Sequence, residues 1–327
     1  MADSPEQFGE LVKIALEQGG GLRTNFTKTI HRSSYPAIDP TRPELSQEGR
    51  TVLITGGGTG IGLSIAKSFT KAGAKTVIIV GRTESVLAEA KKEIGQEAQD
   101  AGKATQIIAQ VLDVTDKSAV AALWSGLKNK DVGVDVLVLN AAKFSPWKSL
   151  FEVGSDEVWS MFEANVRGPL MMAEAFSKQG GDKHKSLVNV ATAAIHMFDK
   201  DESLLSWHVA GYGLTKNAGA LTMQQIASHT DPEKMQVISF HPGVVRTTAW
   251  TEAGVSNEML PFDDVSLAGG SAVWLASPEA RFLHGRFIWA SWDVEELKTG
   301  EVRKKIDDNV NFLKIGVNGL DGANKAW

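Results

Sequence analysis

Thr51-Val-Leu-Ile-Thr55-Gly56-Gly57-Gly58-Thr59-Gly60-Ile61-Gly62 is the stretch that decides the fold. Its first five residues are apolar or β-branched, the composition of a buried strand, and they run straight into a glycine-rich turn. Such a turn lets bare backbone approach a pyrophosphate and aims the free N–H groups of the following helix at it. A side chain at Gly56 or Gly62 would block that approach, and Thr59, Gly60 and Ile61 complete the cradle. Glycine clusters also gather in ordinary loops, so the strand immediately before this one is what favours a phosphate turn. The spacing is GxxxGxG rather than GxGxxG, which points to a particular branch of dinucleotide-binding folds.

Outward from this turn, strand-like runs at 76–80, 104–112, 134–139, 186–190, 235–240 and 286–289 alternate with helix candidates starting near Ile61, Glu84, Asp116, Ser155, Tyr212 and Asp264. With the first strand, seven strands alternating with six helices predict an α/β fold, a doubly wound Rossmann-type parallel sheet covered on both faces. Ligands of such sheets bind beyond the carboxyl ends of the strands, which locates the chemistry. One dinucleotide-binding catalytic domain is expected over residues 49–290. Residues 1–48 read as a short helix over 5–18 and an extended arm holding Pro36, Pro40 and Pro43, and residues 291–327 as a C-terminal extension. Two segments break the alternation, 195–211 and 247–261, and both are expected to overhang the ligand edge as lids or pocket walls.

Of the 327 residues 43% are hydrophobic and 22% charged, enough apolar material for a large core, so wholesale disorder is excluded. A formal net charge of -5 supplies no basic field for nucleic acid or an anionic membrane, and a small molecule is the expected partner. The lack of cysteine removes disulfide scaffolds, thiolate nucleophiles and Cys-ligated metals. None of the seven histidines stands in a ligand spacing such as HExxH, so no catalytic metal is expected. The first residues lack the basic segment and apolar core of a secretory leader, and no apolar run approaches membrane-spanning length. A cytoplasmic protein is expected.

At the end of the second strand, where a carboxylate would bind the ribose 2′-hydroxyl of NAD, the chain has Gly81-Arg82. A guanidinium there pairs with the 2′-phosphate of NADP, so NADP(H) is expected in preference to NAD(H). Solvation of a helix start is the alternative reading of Arg82. Further on, Tyr212-Gly-Leu-Thr-Lys216 sets a phenol and an ammonium four residues apart, on one helix face. A cation so placed stabilises phenolate and brings the phenol toward the range where it trades a proton with an alcohol or ketone. A chance surface pair has the same spacing, but the chain holds only two tyrosines and Tyr212 falls where the sheet order predicts the site.

The set Thr55-Gly-Gly-Gly-Thr-Gly-Ile-Gly62, Asp113-Val114, Asn140-Ala141-Ala142, Asn165, Tyr212-Gly-Leu-Thr-Lys216 and Pro242-Gly243 resembles the short-chain dehydrogenase/reductase family, over about residues 48–290. The resemblance implies hydride transfer at the nicotinamide C4 and a homodimer or homotetramer formed through helices over Ser155–Lys178 and Tyr212–His229. It implies Tyr212 as the general acid of carbonyl reduction, with Lys216 lowering its pKa and bonding the nicotinamide ribose. Asn165 is implied to hold a relay water, Asp113 to bond the adenine, Asn140 to stabilise the central strands and Thr247 to contact the carboxamide. Val114, Pro242, Gly243 and Val245 complete the implied cofactor contacts.

The chain departs from the family pattern in three places. Where the family carries a serine it reads Val188-Asn-Val-Ala191-Thr192, so Thr192 is the candidate to polarise the substrate oxygen, with Ser203 or Ser206 as alternatives. The stretch from Thr192 to Tyr212 is longer than the family norm, and the family's Asn-Asn-Ala-Gly reads Leu139-Asn140-Ala141-Ala142. His196, Trp207 and Trp250 fall in the two lid segments and are either substrate contacts or ordinary lid packing. The whole reading predicts NADP(H)-dependent reduction of a ketone or aldehyde, or oxidation of a secondary alcohol, on a fairly apolar small molecule. A non-redox role of the same fold, as isomerase, cyclase or nucleotide sensor, is the alternative, and the retention of Tyr212, Lys216 and Asn165 argues against it.

Overall fold

All five residues of β1 (Thr51–Thr55) are buried, because a strand in the middle of a parallel sheet is covered by helices on both faces. The computed structural model describes residues 27–145, 148–180, 183–196, 210–247, 250, 256 and 262–317. Within them the remaining strands are β2 (Thr76–Gly81), β3 (Gln106–Val111), β4 (Val136–Leu139), β5 (Lys185–Val190), β6 (Met235–His241) and β7 (Phe287–Trp289). They form one sheet in the order β3-β2-β1-β4-β5-β6-β7, and every pairing is parallel. The doubly wound sheet expected from the sequence is therefore present. Strand order reverses between β1 and β4, and that reversal opens a crevice at the carboxyl edge.

The α-helices of five residues or more are α1 (Gly60–Lys71), α2 (Glu84–Asp100), α3 (Lys117–Asn129), α4 (Ser155–Phe162), α5 (Gly168–Ser177), α6 (Ala210–Ser228), α7 (Val265–Leu275), α8 (Val294–Lys298) and α9 (Gly300–Asp308). Alternate strand residues point to opposite faces, so Val52, Ile54, Val77 and Ile79 pack with α1, α2 and α7, while Leu53, Ile78, Val80 and Leu137 pack with α3 and α5. Fully buried Phe69 and Phe240 each contribute about 1.5–3 kcal/mol by leaving water. Asp116 and Asp264 cap α3 and α7 by accepting backbone N–H bonds, which is why both helices begin where the sequence predicts. Between α4 and α5 the chain makes a π turn over Glu163–Arg167, a local widening absent from the sequence reading.

The described part of the arm runs along its own chain. His31 N donates to Ser291 O at 2.8 Å, the Tyr35 hydroxyl donates to Trp292 O at 3.0 Å and accepts from Val294 N at 3.0 Å, and Ile38 and Leu45 are fully buried. Glu296 accepts from the backbone of Lys28 and Thr29, so arm and C-terminal extension hold one another against the sheet. The helix expected over 5–18 lies outside the described residues, as does most of each lid segment. No helix among the described residues is long and apolar enough to cross a membrane.

Candidate active site

The carboxyl ends of β1, β2, β4 and β5, the start of α6 and the turn after β6 enclose a cleft of about 980 Å³. Of the residues singled out in the sequence, Gly56, Thr59, Gly60, Ile61, Arg82, Asp113, Val114, Asn140, Tyr212, Lys216, Pro242 and Thr247 line it. One cavity thus joins the glycine-rich turn, the β2-end arginine and the Tyr–Lys pair.

The glycine-rich turn owes its shape to Asn140. Its Nδ2 donates to Thr55 O at 3.0 Å and Gly56 O at 3.1 Å, while Thr55 Oγ1 accepts from the N–H groups of Asn140 and Ala141. The ends of β1 and β4 are stitched together by these bonds. Gly62 closes under them: a Cβ there would stand 2.1 Å from Gly56 O, so this glycine is required by the turn itself. Gly60 differs, with φ +50 and open space where a side chain would project. Thr59 makes no side-chain cap on α1, so the first N–H groups of the helix face the cleft with their donor capacity available to an anion. Asp113 accepts from Thr115 N and Oγ1, which fixes its carboxylate at the cleft edge. Exposed Arg82 stands beside the turn.

At the other end, Tyr212 and Lys216 share one face near the start of α6. Lys216 is 7% exposed, and burial lowers its ammonium to a pKa of about 8. Its Nζ donates to Val190 O at 2.5 Å. Desolvation pushes the Tyr212 phenol above its ordinary value, so the lowering expected from Lys216 is not expressed in this arrangement. Thr192 caps the short turn Ala193–Ile195, its Oγ1 accepting from Ala194 N at 3.3 Å. That leaves the hydroxyl hydrogen to donate, and the residue before it, Ala191, is on the cleft wall.

Asn165 sits behind the wall. The π turn rotates it inward, where Oδ1 accepts from Lys143 N at 2.7 Å and Nδ2 donates to Lys143 O and Thr215 Oγ1. Its side chain clamps the backbone after β4 and the Thr215 hydroxyl. Gly243 and Val245 lie one layer back, against Asp263. His196 accepts from Trp289 Nε1 at 3.2 Å, with its pKa lowered by desolvation, and Trp250 packs edge-on to Phe262 at 5.8 Å. Trp207, Ser203 and Ser206 lie outside the described residues.

Residues that the sequence reading passed over also shape the site. Phe144 lies against the Tyr212 ring at 4.6 Å, and Lys143 extends along the cleft wall to Glu157 Oε2 at 3.0 Å and Ser160 Oγ at 2.7 Å. Both directly follow Asn140-Ala141-Ala142 at the carboxyl end of β4, the position where sheet geometry alone places ligand contacts.

The geometry matches known proteins. The family model described as short chain dehydrogenase matches residues 50–258. A short chain dehydrogenase/reductase of Claviceps purpurea is 35% identical over 293 residues, covering 89% of this chain and 94% of that protein. The short chain dehydrogenase/reductase AacuD of Aspergillus aculeatus is 32% identical over 291 residues, covering 89% and 96%. Among solved structures, a short-chain type dehydrogenase/reductase from Mycobacterium ulcerans superposes with TM-score 0.64 at 27% identity, over 75% of this chain and 89% of that one. The family binds nicotinamide cofactors and acts on small molecules. This chain belongs to the short-chain dehydrogenase/reductase family of oxidoreductases.

Proposed function

We propose that the chain is an NADP(H)-dependent carbonyl reductase, or in the reverse direction a secondary-alcohol dehydrogenase, acting on a fairly apolar small molecule. The observation that carries this reading is that Tyr212 and Lys216 open into the same cleft as the phosphate turn and Arg82. The residues fit a dinucleotide: the uncapped start of α1 and the open space at Gly60 receive the pyrophosphate, Asp113 the adenine end, and Arg82 a 2′-phosphate. Bound there, the nicotinamide supplies or accepts the hydride.

The protein's own task is the proton. A desolvated phenol is protonated at neutral pH, so Tyr212 is a donor ready for a carbonyl oxygen. The Thr192 hydroxyl, held in place by Ala194 N, donates to the same oxygen. A charged Lys216, one turn along the same face of α6, stabilises the phenolate left after transfer. Phe144 excludes water from one side of the Tyr212 ring. Exposed Trp159 and Leu170 before and on α5, with Leu214 and Leu221 on α6, support a homo-oligomer formed through those helices.

The test is nucleotide affinity and consumption by the purified protein, NADPH against NADH, with a panel of ketones, aldehydes and quinones. Tighter NADPH than NADH binding and turnover with part of the panel are expected, with a loss of about tenfold in NADPH affinity and NADH unaffected in Arg82→Ala. An unchanged ratio in that variant removes Arg82 as the selector. Tight NADPH binding with no consumption across the panel moves the reading to the non-redox alternative.

A further inference from the structure

The wall of the cleft from Pro242 to Thr247 is not held by the sheet alone. Asp263 lies directly behind it and bonds Val244 on both sides: its Oδ2 accepts from Val244 N at 2.8 Å, and its N donates to Val244 O at 2.8 Å, the backbone bond of the isolated parallel bridge between Val245 and Asp263. Gly243 has φ +97, and a Cβ there would meet Asp263 Oδ2 at 2.8 Å, so the turn is fitted around this carboxylate. The remaining oxygen, Oδ1, accepts from Arg32 Nη1 at 3.0 Å. Arg32 belongs to the N-terminal arm, and its neighbours fasten the same strip: Asp264 N donates to Arg32 O at 2.7 Å and Ser34 N to Ser266 Oγ at 3.1 Å.

Asp263 is a carboxylate with its side chain 8% exposed. Desolvation pushes its pKa up, against the Val244 N–H and Arg32, which hold it down. The Val244 N–H bonds it on the buried side, and the 54% exposed Arg32 side chain closes it on the solvent side. Arg32 and Asp263 both lie outside the segment 50–258 that the family model matches, so the pairing is a feature of this chain's flanks rather than of the matched core.

We infer that Arg32 and Asp263 are positioning residues for the cofactor cleft: the arm, through this ion pair, sets the Pro242–Thr247 wall against which the nicotinamide end of the dinucleotide lies. This rests on the proposed dinucleotide reading of the cleft. Neither residue touches the reacting atoms; they act through the Val244 backbone. The arm is then part of the site, and its described residues do more than cover the core.

The experiment uses the full chain and four variants: Arg32→Ala, Arg32→Lys, Asp263→Asn and, as a control, Arg42→Ala. Arg42 anchors the same arm through Glu279 Oε1 at 2.9 Å without approaching the turn. NADPH affinity by fluorescence titration, hydrogen exchange of peptides spanning 242–247, and Tm are read together. Arg32→Ala and Asp263→Asn are expected to weaken NADPH binding about three- to tenfold, the range for loss of a charge-assisted hydrogen bond, and to speed exchange at Val244. Arg32→Lys restores most of both, and Arg42→Ala lowers Tm while leaving both unchanged. Wild-type affinity and exchange in Arg32→Ala and Asp263→Asn overturn the inference, and so does an Arg42→Ala variant that copies them, since the arm would then act through general stability. Wild-type protein that binds neither NADPH nor NADH overturns the dinucleotide reading instead. That failure is distinguishable, because Arg32→Ala still speeds exchange at Val244.

Discussion

The two ends of the cleft are built on opposite principles. At the glycine-rich turn the groups that shape the loop already have their partners: Asn140 bonds Thr55 O and Gly56 O, Thr55 Oγ1 takes two N–H groups, and Gly62 leaves no room for a side chain, so only the first N–H groups of α1 stay open to a ligand. At the end proposed for proton transfer the bonds run instead to the surrounding backbone. Thr192 caps a backbone turn, Lys216 bonds Val190 O, and Tyr212 touches Phe144 through its ring. The end proposed for binding is preorganised by the fold, whereas at the end proposed for chemistry the side chains bond the surrounding backbone and their alignment is left to the bound molecules. Binding sites cost little when preformed; catalytic hydrogen bonds commonly tighten only once the reactants are in place.

That contrast can be broken at either end. Thr192→Ala should lower turnover about 10²- to 10³-fold, the cost of removing one donor from a developing oxyanion, while Thr192→Ser stays within a few fold. Equal activity of Thr192→Ala and wild type would transfer the donor role to the 195–211 segment. Gly62→Ala is the complementary cut, since its Cβ would overlap Gly56 O. Thermal unfolding should show a loss of about 3 kcal/mol, with NADPH binding weakened as the turn opens. Wild-type Tm in that variant would show the turn to be more adaptable than its bonding indicates.

The smallest expected effect concerns Lys216 and has a defined sign. Burial lowers its pKa from the ordinary 10.5 to about 8. Between those values the unfolded chain carries a proton that the folded one lacks, so this group's contribution to stability rises with pH across that window and is least favourable below about 8. Lys216→Met should therefore raise the Tm of the nucleotide-free protein at pH 7 by about 3 °C, equivalent to about 1 kcal/mol. The gain should shrink as pH climbs from 8 toward 10.5, while turnover is lost. A Tm drop at pH 7 would mean that the bond to Val190 O outweighs the desolvation of the ammonium.

The sheet was legible in the sequence because its signals are local. β1 begins and ends at Thr51 and Thr55 as read, and Asp116 and Asp264 mark helix starts because a cap bonds only to N–H groups two or three residues on. What escaped the reading depends on partners far along the chain. The π turn that turns Asn165 inward is matched to Lys143 and Thr215, and no periodicity announces it. Trp250 and His196, read as substrate contacts or lid packing, have Phe262 and Trp289 as neighbours from distant segments. The sequence marks Arg32 only as part of an extended arm, since nothing near it in sequence foretells Asp263. Tyr212 and Lys216 were legible as a pair, but burial, which sets their ionisation, belongs to the folded chain.

The most direct measurement compares wild type with Tyr212→Phe for NADPH affinity and for NADPH consumption against a carbonyl substrate found in the panel. The account predicts affinities within about twofold and a fall in turnover of about 10³-fold, within the range for loss of a positioned general acid. Near-wild-type turnover in Tyr212→Phe would contradict it and assign the proton to another residue of the cleft.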